Sequence, residues 1–157
     1  MNVVPTGYHT VTPWLITQGH THELIGFITA VFDATELGRV GDPPNIGHAE
    51  VRIGDSVVML FDVPAWPPTP AFLRLYVEDD AATLARAVHH GATTLTVPTE
   101  MFWGDRVSRF ADPFGNLWWL HQRVAEPTGD ELAARMRDPA FEEAMRYVQS
   151  LEFTPRR

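Results

Sequence analysis

Two titratable side chains one residue apart, His48 and Glu50, open the chemical reading of this chain. The segment HAEVRIGDSVVMLFD, His48 to Asp62, reads as a β-hairpin whose Gly54-Asp55 supplies residues that tolerate the positive φ of a tight turn. Strand alternation then sets the imidazole and the carboxylate on one face, roughly 6 to 7 Å apart along the strand. That spacing suits a general base and its partner, or two ligands of a metal ion. The turn pairs Arg52 with Val57, Glu50 with Met59 and His48 with Phe61, and paired residues share a face. Ala49, Val51, Ile53, Val58 and Leu60 line the other face, wholly apolar and ready for burial under helices. Titratable groups among large apolar side chains fit a small-molecule cavity better than open solvent. The plainer alternative is a strand pair with one solvated face.

The same alternation puts Phe72, Arg74 and Tyr76 on one face of the segment FLRLYV, Phe72 to Val77. An arginine there needs an acceptor, either Glu50 or a carboxylate, phenolate or quinone oxygen of a ligand. Trp14, Met59, Phe61, Phe72, Trp103 and Trp119 offer flat apolar walls, and five tryptophans in 157 residues favour stacking with a planar ligand over ordinary core. Asp105 and Arg106, in the loop FWGDR, suit either a ligand contact or a turn braced by an ion pair. His20, His22, His89 and His90 read as surface residues, with Thr21 as the cap of the helix that follows. No serine stands in a nucleophile-elbow context, so Ser-His-Asp hydrolysis has no support.

The elements that position these groups recur in order. Val11 to Thr17 reads as a strand and Glu23 to Phe32 as a helix, followed by the hairpin and a stiff Pro-rich connector from Pro64 to Pro70. Phe72 to Val77 is again a strand and Asp80 to His90 a helix that Gly91 stops. Leu95 to Val97 is a short strand, while Arg106 to Ala111 and Leu117 to His121 flank the turn Asp112-Pro-Phe-Gly-Asn. Two tandem βαβββ modules are the simplest reading, an α+β fold with module one about residues 8–63 and module two about 70–123. The tail, about 124–157, is helical. Thr128 with Glu131 resembles a capping box, Asp138-Pro139 opens a second helix, and Leu132, Met136, Phe141, Met145 and Val148 form a packing stripe. That stripe packs either on the same chain or on a twin subunit.

Composition narrows the chemistry. Cysteine is absent and all twelve basic residues are arginine, which removes disulfides, thiolate sites, Schiff-base chemistry and the lysine of a phosphate loop. A net charge of −8 without a basic cluster argues against nucleic acid as a partner. With no long apolar run and no signal-like start, a soluble cytoplasmic protein without membrane contact is the expectation.

IGHAEVRIGDSVVMLFD, LYVEDDAATLARAVHHGA, FWGDR and DPFGNLW, in that order over about residues 10 to 123, resemble the vicinal oxygen chelate superfamily of glyoxalase I and the bleomycin-resistance proteins, and within it the PhnB-like branch. The resemblance implies paired modules curled around one shared cavity, and commonly a homodimer. In the superfamily's metalloenzymes a divalent ion is held from the first and last strands of each module, positions that fall here on Thr12, Met59, Phe72 and Trp119. None is a good ligand for such an ion, and a one-residue slip to Pro13 does not help. The expectation is therefore a protein without cofactor or metal. It binds a planar, aromatic metabolite for sequestration or resistance, or acts on it with His48 and Glu50 as acid and base. The alternative is a metal-dependent lyase, isomerase or dioxygenase with a displaced His48, Glu50 and His121 site, since His121 shares the face of Trp119.

Overall fold

The computed structural model describes residues 3–150. They divide into two compact units, one ending at Ala71 and one starting at Phe72. The first contains β1 (Trp14–Thr17), α1 (Thr21–Phe32), β2 (Thr35–Val40), β3 (His48–Ile53) and β4 (Ser56–Asp62). The second contains β5 (Phe72–Tyr76), α2 (Asp80–His89), β6 (Thr93–Glu100), β7 (Asp105–Ala111) and β8 (Leu117–Arg123), then α3 (Gly129–Met136) and α4 (Pro139–Gln149). Each unit is a βαβββ module, and the fold is α+β. The strands form two four-stranded mixed sheets, ordered β1-β4-β3-β2 and β5-β8-β7-β6. In both, the first strand runs parallel to the last, because the intervening helix returns the chain across the sheet, and the other pairs are antiparallel. Neither sheet closes on itself.

The hairpin register is the one its turn dictates. Gly54 has φ 58, and Glu50 pairs with Met59 and Arg52 with Val57. Ala49, Val51, Val58 and Leu60 are buried on the far face, together with Leu24, Ile28 and Val31 of α1. Two strands differ from expectation. The strand Thr35–Val40 carries no clear alternation, with Gly38 at a register shift against β3. The edge strand β6 spans Thr93–Glu100, well beyond Leu95 to Val97, and it pairs with β7 despite Pro98 because its register shifts around that residue.

Thr21 is not the cap of α1 but its first helical residue. The first-turn donors are met from outside the helix. Asp62, at the end of β4, accepts from the amides of Gly19 and Thr21 and from the Thr17 hydroxyl through one oxygen, and from the Ile46 amide through the other.

In the second unit the turn after β7 is built on a buried carboxylate. Asp112 accepts from the amides of Phe114 and Asn116 and from the side chains of Asn116 and Trp118. The capping box at Thr128 and Glu131 forms, and Asp138 caps α4 ahead of Pro139. The tail stripe is used only in part. No residue of α3 is buried and Met136 is exposed, whereas Val148 of α4 packs with Met101 and Val107, flanked by Trp103, Trp119, Ala144 and Met145. Helix α4 thus packs on its own chain.

Candidate functional site

In each unit one sheet face carries the helix and the other carries the titratable groups. In the first unit His48 and Glu50 stand on the open face of β3, with His48 Nε2 3.1 Å from Glu50 Oε1. The other carboxylate oxygen accepts a hydrogen bond from the Tyr8 hydroxyl, supplied by the segment that precedes β1. Arg52 donates to the Gly7 carbonyl of the same segment. The Tyr8 bond, then the His48 bond, holds the Glu50 carboxyl below its ordinary range, and the same contact raises the Tyr8 phenol. Trp14, paired with Met59 across β1 and β4, meets His48 and Phe61 edge-on at 5.9 and 4.8 Å between ring centres.

The second unit assembles a tighter group. Asp105 is fully buried at the start of β7. Its Oδ2 lies 3.0 Å from His121 Nδ1, accepts from Trp103 Nε1 at 2.9 Å and sits 3.3 Å from the Tyr76 hydroxyl, while Oδ1 accepts from Arg123 Nη1 at 3.0 Å. Burial alone would raise this carboxyl, but the bonds from His121, Arg123 and Trp103 hold it below its usual value. The His121 imidazole, 4% exposed, is pushed down by burial, which outweighs the opposing pull of Asp105. Arg74 donates to the Tyr76 hydroxyl at 2.5 Å and lies 3.7 Å from Asp105. Trp103 and Trp119 lie near-parallel to the imidazole, 6.4 and 6.5 Å away between ring centres. Phe72, Leu73, Arg74, Trp103, Trp119 and His121 line an open concavity of about 410 Å³.

Backbone geometry explains why the FWGDR segment can do this. Gly104 has φ 92, and a Cβ there would stand 2.2 Å from the Ala125 carbonyl oxygen. Its own carbonyl accepts from the amides of Val124 and Ala125, so the loop is pinned against the end of β8 with Trp103 and Asp105 aimed at His121. The same face farther along is covered. Arg109, over the Trp119 ring at 4.6 Å, donates to the Val148 carbonyl at 2.5 Å, and α4 therefore lies across β6 and β7.

One expectation needs correction. Arg106 does not join Asp105, because it is the next residue of the strand and points to the α2 side, where its charge reaches Asp80. Within the second unit Arg74 meets Tyr76 and Asp105, and within the first Glu50 meets Tyr8 and His48. Two contributors were missed. Tyr8 lies in an irregular segment without periodicity, and Arg123 was placed beyond its strand, although alternation from Trp119 through His121 reaches it. The pairing of Asp105 with His121 depends on the antiparallel alignment of β7 with β8, in which Val107 faces His121 and Asp105 faces Arg123.

The positions at which the superfamily's metalloenzymes bind a divalent ion do not fit one here. Met59 offers a thioether, Phe72 and Trp119 offer rings without a lone pair for coordination, and Thr12 offers a hydroxyl. Trp119 is moreover paired with the cationic Arg74. Among the described residues no three His, Asp or Glu side chains within either unit are gathered as a metal would need. No metal-dependent step follows from these residues. No helix among the described residues is long and apolar enough to cross a membrane.

The family model for the Glyoxalase/Bleomycin resistance protein/Dioxygenase superfamily matches residues 9–120. An uncharacterized protein of Mycobacterium bovis is 42% identical, over 71% of this chain and 82% of its own length. Among solved structures, the bleomycin resistance determinant encoded on transposon Tn5 aligns with a TM-score of 0.56 at 19% identity, covering 74% of this chain and 99% of that one. The PhnB protein of Bacillus cereus aligns at 0.53 and 17% identity, covering 73% and 99%. The chain belongs to the glyoxalase, bleomycin-resistance and dioxygenase superfamily, whose fold supports a small-molecule binding or enzymatic role.

Proposed function

We propose that this member of the superfamily, which we place in its PhnB-like branch on the residue motifs above, binds a planar aromatic small molecule on the open face of its second unit. The observation that carries the reading is the open concavity of about 410 Å³ lined by Phe72, Leu73, Trp103 and Trp119, with Arg74 and His121 as its polar groups. A cavity of that size suits a small metabolite, and apolar walls with a few convergent polar groups are what such ligands require. Stacking on the indoles supplies area, and the Arg74 guanidinium pairs with an oxygen at the ligand's edge. The family site offers no adequate metal ligands, which favours sequestration or metal-independent chemistry over a metal-dependent lyase, isomerase or dioxygenase.

A second reading rests on His48 and Glu50. Their hydrogen-bonded alignment, extended by Tyr8, suits acid/base chemistry of the isomerase or lyase type.

Titration with a planar phenol while tryptophan emission is followed separates the two. Phe72→Ala and Arg74→Gln, both at exposed positions, are expected to weaken binding by about tenfold or more, the loss of one stacking or charged contact. Trp14→Phe and His48→Gln should leave it within about twofold. The reverse pattern moves the site to the first unit.

A further inference from the structure

We infer that His121 is the proton acceptor of the second-unit concavity, which takes up a weakly acidic phenol or enol as its oxyanion beside Arg74 and keeps the released proton on His121 Nε2. This rests on the reading of the concavity as the ligand site and adds the chemical class of the ligand.

The first support is tautomeric. An ionised carboxylate only accepts hydrogen bonds, so the 3.0 Å contact with Asp105 Oδ2 requires the proton on His121 Nδ1 and puts the lone pair on Nε2. Asp105 cannot turn away, because Trp103, Arg123 and Tyr76 bond to the same carboxylate and Gly104 locks the loop. The imidazole lines the concavity, and Asp105 is its hydrogen-bond partner among the described residues, which leaves Nε2 to whatever occupies the concavity. An occupant must therefore bring a donor to Nε2.

The second support is charge. Around the imidazole, β5 contributes Arg74 and Tyr76, β7 contributes Asp105, and β8 itself contributes Arg123. One carboxylate thus faces two guanidiniums, an excess of positive charge that favours an oxyanion beside Arg74. A ligand that arrives as a carboxylate brings the charge without the donor, and sets its lone pairs against that of Nε2. A phenol or enol brings both: its O–H bond breaks, an N–H bond forms on Nε2, and the electron pair remains on the oxygen facing Arg74. No oxidant, reductant or further reactant is needed. Burial favours the neutral form of the unliganded imidazole, and Asp105 stabilises the imidazolium that results.

The test uses para-nitrophenol, whose phenolate absorbs visibly and whose phenol does not, with para-nitroanisole as the analogue that has no proton to give. At pH values where the free probe is mostly protonated, the phenolate fraction of bound probe is expected to exceed that of free probe about tenfold or more, one unit of apparent pKa. Nitrogen NMR of the imidazole should pass from the Nδ1–H tautomer to imidazolium as probe is added. His121→Gln should still quench tryptophan emission with para-nitrophenol but lose the colour change, and para-nitroanisole should bind more weakly than para-nitrophenol to the wild type only. Quenching without colour in the wild type overturns proton acceptance by His121 and leaves the binding concavity standing. Equal colour in His121→Gln assigns the effect to Arg74 alone and also overturns it. Neither quenching nor colour overturns both readings.

Discussion

Both units place an imidazole beside a carboxylate on the sheet face opposite the helix, and the two pairs differ in how they are held. In the first unit the partners are two residues apart on one strand, partly exposed, and steadied by Tyr8 from an irregular segment. In the second they come from adjacent strands, the carboxylate has no exposure, and three further donors converge on it. The coverings differ as well, since α4 lies across part of the second unit's open face and confines the concavity to the β5 and β8 side. A local pair such as His48 and Glu50 is cheap for a sequence to form and solvent weakens it. A buried pair costs desolvation and persists only when the surrounding donors meet that cost, so it is the stronger candidate for chemistry.

That contrast can be broken in order of expected effect. If the units differ only on their open faces, their helix-covered faces must be equally intolerant of charge. Val51→Asp and Leu120→Asp, both at fully buried positions, should each cost about 4 kcal/mol or prevent folding, while Met59→Gln costs under about 1 kcal/mol. Mild losses at Val51 or Leu120 in urea unfolding would remove the face assignment.

Asp105→Ala should cost about 3 kcal/mol because it strands several buried donors, and Glu50→Ala under about 1 kcal/mol. Equal losses would make the two pairs alike. The sign with pH follows from the lowered Asp105 value: its stabilisation is present above the unfolded carboxyl value and is lost as acid drives pH down through the folded one.

A smaller effect has the opposite sign. Asp80, buried under Ser108, which donates to it, is pushed up to about 6 by burial, so it prefers its proton in the folded state. Its charge therefore destabilises the fold above about pH 6, and the penalty disappears below the unfolded carboxyl value. Asp80→Asn should raise stability by on the order of 2 kcal/mol at pH 8 and add little at pH 4. A gain that is the same at both pH values would show that burial of charge is not the cause.

Much of the first unit was legible because its information is local. The Gly54-Asp55 turn sets the hairpin register, and the register sorts His48, Glu50, Met59 and Leu60 onto their faces. The recurrence of strand, helix and hairpin exposed both modules and, through Phe72, Arg74, Tyr76 and Trp119, most of the wall of the second-unit concavity. The partner relations were not legible. Asp105 and His121 are 16 residues apart, and only the alignment of β7 with β8 brings them together. Arg106 was placed beside Asp105 by adjacency in the chain, which in a strand means opposite faces. Tyr8 sits where no periodicity exists, so only the fold reveals its bond to Glu50.

The most direct test of the account is a nuclear magnetic resonance titration with a planar phenol that follows the indole Nε1–H signals of the five tryptophans together with the imidazole signals of His48 and His121. The account predicts saturable shifts at Trp103, Trp119 and His121, with Trp14, Trp66 and His48 unmoved. Shifts confined to Trp14, Trp66 and His48 would contradict it and place the binding site on the first unit.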